Sequence, residues 1–301
     1  MIDRSQIVLA DASDRIVGVQ KILDEFDLNT EGIIALKANY NSNDPFPATT
    51  HPDTLRILSE HLKENSRQLI MAERSGMGKT STVLKNRGVL DLSQKLDFQL
   101  RNLDSADPED WVDIHSGELH WRHGFKIARV FLEADKVVQT CCLKTHRFGG
   151  HFTMSLKNSV GLIAARPKGD SYDYMRELHS SPYQRLMIAE INKFYKTDMI
   201  LMDATQGFSK GGPDQGMLIK PGLLLASTDR IAIDAVGVAL LRLYGTTPEV
   251  MSGRIFDQEQ IARAANLGVG VDSPSKIDLV PLDEHSQKAA DAIRKVLDEQ
   301  G

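Results

Sequence analysis

The chain has 301 residues, 41% of them hydrophobic and 26% charged, which is the composition of a globular protein with ample apolar surface for a core. Lys+Arg 36 against Asp+Glu 41 leaves a net charge of −5, which argues against a general nucleic-acid binder but allows a local basic pocket. The two cysteines, adjacent at Cys141 and Cys142, are too few for an iron–sulfur cluster or a four-cysteine zinc site, and they fit a reducing compartment.

The opening Met-Ile-Asp-Arg-Ser-Gln lacks the basic-then-apolar order of a signal peptide. No apolar run approaches the roughly 18 residues of a membrane span. The expected setting is the cytoplasm, with no membrane and no nucleic acid as partner. An apolar run at 7–10, ending at Asp11, reads as a strand, and 14–26 has apolar residues at helical spacing. A second strand at 32–36 ends in Lys37-Ala38-Asn39. A loop rich in Asn, Pro and Thr fills 40–50, and Pro52 opens a helix that runs to about residue 63. A third strand, 68–72, ends in Glu73. This β-α-β-α-β order predicts a parallel sheet.

Ser75-Gly76-Met77-Gly78-Lys79-Thr80 resembles the end of a phosphate-binding P-loop, but Glu73 stands where the pattern requires glycine. A carboxylate there would repel phosphate, so a flexible loop leading into a helix is the preferred reading. Residues 111–126 alternate around Ser116-Gly117 and predict an inserted β-hairpin holding His115, His120 and His123. The bland account of that trio, half-exposed hairpin histidines, is preferred to a metal site. A helix is expected over 127–134. The strand 136–143 then delivers Lys144, Thr145 and His146, and a Gly149-Gly150 turn leads to Lys157 and Asn158. Beyond it come a helix at 182–195 and a strand at 198–202 ending in Asp203. A glycine-rich loop at 207–216 and a strand at 222–226 ending in Ser227-Thr228-Asp229 follow. Helices at 230–243, 258–266 and 285–299 and a strand at 277–280 complete the pattern.

Asp11, Lys37, Glu73, Lys144 and Asp203 each follow the last apolar residue of an expected strand, and Thr228 and Asp229 nearly do. In an open parallel sheet ligands bind beyond the carboxyl ends of the strands, so these polar tips are expected to share one rim. Lys144 and His146 are two apart and point to one face of extended chain, with Cys142 on that face too. Lysine can hold a carboxylate or phosphate, or act as a base when desolvated, and histidine can move a proton or ligate a metal. The cysteines read as small core residues, with a thiolate nucleophile as the other reading. Asp234 lies on an apolar helical stripe; either it caps a loop from below or it faces the site as a base or a lysine's partner.

Taken together the residues resemble the family catalogued as domain of unknown function 362. The resemblance is carried by Leu36-Lys37-Ala38-Asn39, Thr49-Thr50-His51-Pro52, Glu73-Arg74-Ser75-Gly76, Lys144-Thr145-His146 and Ser155-Leu156-Lys157-Asn158 with Gly161. It continues through Asp203, Gly212-Pro213 with Gly216, Ser227-Thr228-Asp229 with Asp234, and Leu267-Gly268-Val269-Gly270, and so covers nearly the whole chain. It implies one α/β domain with one shared site. Many members carry a ferredoxin-like segment with Cys-x-x-Cys clusters, which this sequence lacks, so a redox role does not carry over. The family's proline near the end of the strand before Lys-Thr-His is replaced here by Cys142-Leu143.

The expected fold is α/β: one domain over 1–301, a mostly parallel sheet flanked by helices in a three-layer sandwich, with the 111–126 hairpin inserted. The expected function is an enzyme for a small anionic substrate, a carboxylate or phosphate, with Lys144, His146, Lys157, Glu73, Asp203 and Asp234 as acid–base groups. Lys37, Asn39, Thr145, Asn158, Gly212 and Gly216 would bind the substrate. A divalent metal on His146, Glu73 and Asp203 is left open, since no spacing demands it. The alternatives are a non-catalytic cofactor- or metal-binding protein serving a redox partner, and a nucleotide binder using 75–80.

Overall fold

The computed structural model describes residues 4–301. Six strands precede the middle of the chain: β1 (Ser5–Asp11), β2 (Thr30–Lys37), β3 (Ser66–Glu73), β4 (Gln99–Asn102), β5 (Trp111–Ile114) and β6 (Phe125–Ala128). Six follow: β7 (Lys136–His146), β8 (His151–Phe152), β9 (Met199–Lys210), β10 (Met217–Ile219), β11 (Leu223–Ser227) and β12 (Ile277–Pro281). The large sheet runs β12-β1-β11-β9-β7-β2-β3-β4, with β10 added to β9 and β8 to β7. β5 and β6 pair antiparallel as a separate ribbon. Within the large sheet β12–β1, β9–β7, β7–β2, β2–β3 and β3–β4 are parallel.

The central strands are continuous apolar runs because both faces of the sheet are covered. On one face Val8, Leu36, Met71, Val138 and Leu201 join the core formed with helices Arg15–Leu23 and Pro52–Glu64. On the other, Leu9, Cys141, Met202 and Leu225 pack with helices Arg230–Leu243 and Glu284–Gln300. Farther along that face Ala35, Ile70 and Val137 meet the β5–β6 ribbon and helix Gln184–Ile191. The fold is therefore α/β, a mixed but mostly parallel sheet flanked by helices. Both cysteines are free and buried in this core. Among the described residues no helix is long and apolar enough to cross a membrane.

Three expectations need correction. β11 runs antiparallel to both β9 and β1. Its end, Ser227-Thr228-Asp229, therefore lies at the rim opposite to Lys37 and Lys144. The cause is the short connection: between Lys210 and Leu223 the chain folds β10 back onto β9 and has no crossover helix, which a parallel pairing would need. The expected loop at 207–216 is also shorter than read, because β9 continues to Lys210 after a register shift beyond Asp203. At Gly207 a side chain would put Cβ 2.5 Å from the Leu143 carbonyl oxygen, so glycine permits the renewed pairing. Residues 125–128 are strand, and only Val130–Glu133 is helical in the stretch expected as one helix.

Asp229 instead anchors the far rim. Its carboxylate accepts the amides of Ile231 and Ala232 at the helix start, the Val271 amide at 2.8 Å and the Ser5 hydroxyl at 2.7 Å. Asp229→Ala leaves those buried donors unpaired and is expected to lower stability by about 3 kcal/mol, read as a fall in the urea midpoint with unchanged m-value.

Candidate functional site

β2, β3 and β7 run side by side; β2 ends in Lys37, β3 in Glu73 and β7 in Lys144-Thr145-His146 at the same rim. A cavity of about 750 Å³ opens over these tips, and Lys37, Asn39, Glu73, Lys144, His146, Lys157 and Asn158 all line it. A polar residue at each strand end is what parallel topology places together.

Lys37 and Glu73 form a buried ion pair at 2.6 Å across the tips of β2 and β3. The Lys37 ammonium also donates to the Ala38 carbonyl and to Asn158 Oδ1, so its three donors are used. Burial pulls Lys37 down and pushes Glu73 up, and their mutual attraction opposes both shifts. Glu73 Oε2 has no hydrogen-bond partner although it is fully buried. A side chain at Gly161 would put Cβ 2.5 Å from Lys37 Cε and 3.2 Å from Glu73 Oε1, so glycine leaves the pair its room.

After His146 the chain reverses through Arg147–Gly150 and pairs β8 back on Thr145 and His146. The Thr153 amide then donates to the Lys144 carbonyl at 2.9 Å. Helix Ser155–Asn158 follows, and its first amides, Ser155 and Leu156, donate to the two oxygens of Asp234 at 2.7 and 3.0 Å. Asn158 Nδ2 bonds Gln139 Oε1 and the Thr140 carbonyl on β7. Lys157, the residue before Asn158, is thereby held beside β7. A side chain at Gly150 would put Cβ 2.7 Å from His146 Nδ1 and 3.3 Å from Lys157 Cε.

The cavity carries four cationic side chains, Lys37, Arg74, Lys144 and Lys157, against the carboxylates of Glu73 and Asp104. Arg74 is committed to structure, since its guanidinium donates to the carbonyls of Ile163, Ser75 and Val160. Lys144 donates to the Ala48 carbonyl, which leaves two of its three donors for a ligand. Burial lowers its pKa. Lys157 is lowered to about 8, first by burial and then by the charges of Lys144 and Arg74. No carboxylate contributes to that shift. His146 Nδ1 accepts the Gly150 amide at 3.1 Å, so the ring proton sits on Nε2. Burial and then Lys157 and Lys144 depress its pKa far below the usual histidine range. It stays neutral and can donate from Nε2, which is a different part from the proton carrier expected.

Other expected site residues lie elsewhere. Asp203 accepts Arg15 Nε at 3.0 Å, the Thr54 hydroxyl at 2.7 Å and the Thr205 hydroxyl at 2.8 Å, and is a buried tie between two helices and β9. Asp234 caps the Ser155 helix from below and does not face the cavity. Thr145 holds the glycine loop by donating to the Phe208 carbonyl and accepting the Gly212 amide. Gly212 and Gly216 serve the β9–β10 hairpin: a Cβ at Gly216 would lie 2.1 Å from the Lys210 carbonyl oxygen, and Pro213 is the loop residue at the cavity wall. Burial pushes Cys141 well up and Cys142 to about 11, so both remain thiols near neutrality.

The P-loop reading meets a physical obstacle. The Thr80 amide already donates to Asp104, the Ser75 amide to Thr80 Oγ1, and the Gly76 and Met77 amides to Asn41. His120 pairs with buried Glu190 at 2.6 Å, and His123 lies edge-on to Tyr172. Among the described residues no three His, Cys, Asp or Glu side chains are grouped to hold a metal ion. Sequence reasoning missed Arg74 and Asp104, and His179 on helix Tyr174–Ser180. Arg74 beside Glu73 carried a signal, as a charged residue one place beyond a strand tip. His179 carried none.

Over residues 34–239 the sequence matches the family described as Domain of unknown function (DUF362). A thylakoid-associated protein of Synechocystis sp. is 24% identical over 210 residues, covering 68% of this chain. The chain spans 61% of that relative's length. Among solved structures, the lactate racemase apoprotein of Thermoanaerobacterium thermosaccharolyticum is 14% identical with a TM-score of 0.41, over 67% of this chain and 50% of that one. A Thermotoga maritima protein is 12% identical with a TM-score of 0.35, over 62% and 49%. At these scores neither structure supports a statement about chemistry.

The depressed Lys157 has a consequence for the empty protein. The folded state releases this proton at about 8 while the unfolded chain keeps it to near 10.5. Between those values the unfolded chain binds more protons, so stability rises with pH across that window. Lys157→Met is expected to raise the melting temperature at pH 7 by a few degrees and to remove that part of the pH dependence, measured by thermal melts from pH 7 to 11.

Proposed function

This chain belongs to the DUF362 family, and on that premise we propose that its rim cavity binds a small carboxylate- or phosphate-bearing molecule and transfers a proton on it. The observation carrying the reading is the pair of lysines, Lys144 and Lys157, which line one cavity with unspent donors; no carboxylate acts on Lys157, and the one that acts on Lys144, Asp214, is already paired with Arg147. Like charges held together in a partly desolvated pocket are relieved by an anion, which gives the site its selectivity. Lys144 is the positioning charge. His146, neutral, donates from Nε2, and Asn39 offers an amide. Lys157 is the group that moves a proton, since its pKa of about 8 lets both forms exist near neutrality. Glu73 Oε2, buried and unpartnered, is an acceptor for a ligand hydroxyl.

Oxalate, malonate and inorganic phosphate are suitable probes for thermal-shift screening. For whichever raises the melting temperature, Lys144→Met is expected to weaken binding on the order of 100-fold in calorimetric titration while the circular dichroism spectrum is kept. Unchanged affinity would refute the assignment. The wild-type affinity is expected to fall as pH rises through about 8, where Lys157 loses its charge.

A further inference from the structure

We propose that Lys157 is a nucleophile that forms an imine with a ligand bearing both a ketone or aldehyde carbonyl and an anionic group, a carboxylate or phosphate. This rests on the anion-site reading and deepens it. The three cavity lysines differ in what they have free. Lys37 has spent its donors on Ala38, Asn158 and Glu73. Lys144 is tied to the Ala48 carbonyl from within β7. Lys157 alone of the three has no hydrogen bond or ion pair to the described residues, and its neighbours by charge are cations. A lysine becomes nucleophilic when it is desolvated or set beside another cation, because its neutral form is then populated. At pH 7 about a tenth of Lys157 would be neutral, against well under a thousandth for an ordinary lysine.

The same surroundings select the electrophile. A carbonyl without charge gains nothing from Lys144, whereas an anionic group on the same molecule is held there while its carbonyl meets Lys157. The chain supports the approach: the Asp234 carboxylate fixes the Ser155 and Leu156 amides, so Lys157 projects from a held turn rather than a mobile loop. In the step the Nζ lone pair forms the N–C bond as the carbonyl electron pair moves to oxygen, which takes a proton. The carbinolamine nitrogen then loses its proton, and the hydroxyl leaves as water after taking one more. Departure of water leaves the protonated imine, which releases its N–H proton to give the neutral form, so the net change is amine plus carbonyl to imine plus water, with no oxidant or reductant required. Once protonated, the imine withdraws electrons from the adjacent carbon, which eases removal of a proton or carboxylate there.

The test uses the whole chain with pyruvate or acetoacetate as carboxylate ketones, dihydroxyacetone phosphate as the phosphate ketone, and acetone as the uncharged control. Each is incubated at pH 7.5, reduced with sodium borohydride and mapped by peptide mass spectrometry, alongside melting curves without reductant. The expected result is one reduced adduct at Lys157 with at least one anionic ketone, at least tenfold above acetone and absent in Lys157→Gln. Labelling by the carboxylate or the phosphate arm alone identifies the anionic group. A melting shift without an adduct at Lys157 overturns the imine and leaves the anion site standing. Neither a shift nor an adduct overturns both. Labelling spread over surface lysines, equal for acetone, also overturns the imine. Mapping on the wild-type chain keeps the result readable if the variant does not fold.

Discussion

The buried contact between Lys37 and Glu73 organises the rim. Two charges taken out of water lose hydration that their attraction only partly returns, so the pair persists because further bonds complete it. Asn158 supplies one of these, and Asn158 is itself tied to Gln139 and the Thr140 carbonyl on β7. One ion pair therefore links the ends of β2 and β3, and the body of β7, to the turn that carries Lys157. Removing either partner would cost about 3–5 kcal/mol and release that turn as well. Gly161 belongs to the same constraint, since any side chain there would enter the space of the pair.

Around this fixed frame the site keeps charge that it does not neutralise. Lys144 and Arg74 weaken the hold of Lys157 on its proton, and Lys37 acts in the same direction on Lys144. Such an arrangement costs the folded protein stability, a compromise that an anion in the cavity, as proposed, would relieve. Asp234 shows how the compromise is held. It spends both oxygens on the backbone of the short helix bearing Lys157 and thereby sets position without entering the cavity.

Much of the rim was legible in the sequence because a strand buried on both faces is a visible apolar run, and its first charged residue marks where burial ends. Lys37, Glu73 and Lys144 line one cavity, as that ground suggested. The same ground misplaced Asp203, whose partners Arg15 and Thr54 come from distant segments and turn it into a helix tie. It also misplaced Asp229, because strand direction is not written in an apolar run. The P-loop likeness failed for a related reason: its amides are consumed by Asp104, Thr80 and Asn41, which no local pattern predicts.

By itself the sequence determined the α/β class, the central strands and main flanking helices, and the cluster of lysines that lines the cavity. These follow from periodicity and composition, which are local. Only the tertiary structure decided that β11 reverses, that burial beside two lysines keeps His146 neutral while the Gly150 amide sets its tautomer, and that Lys157 is the cavity lysine left without a partner among the described residues. Each of those depends on which groups meet across the fold, and burial, pairing and pKa are properties of those meetings rather than of any stretch of chain.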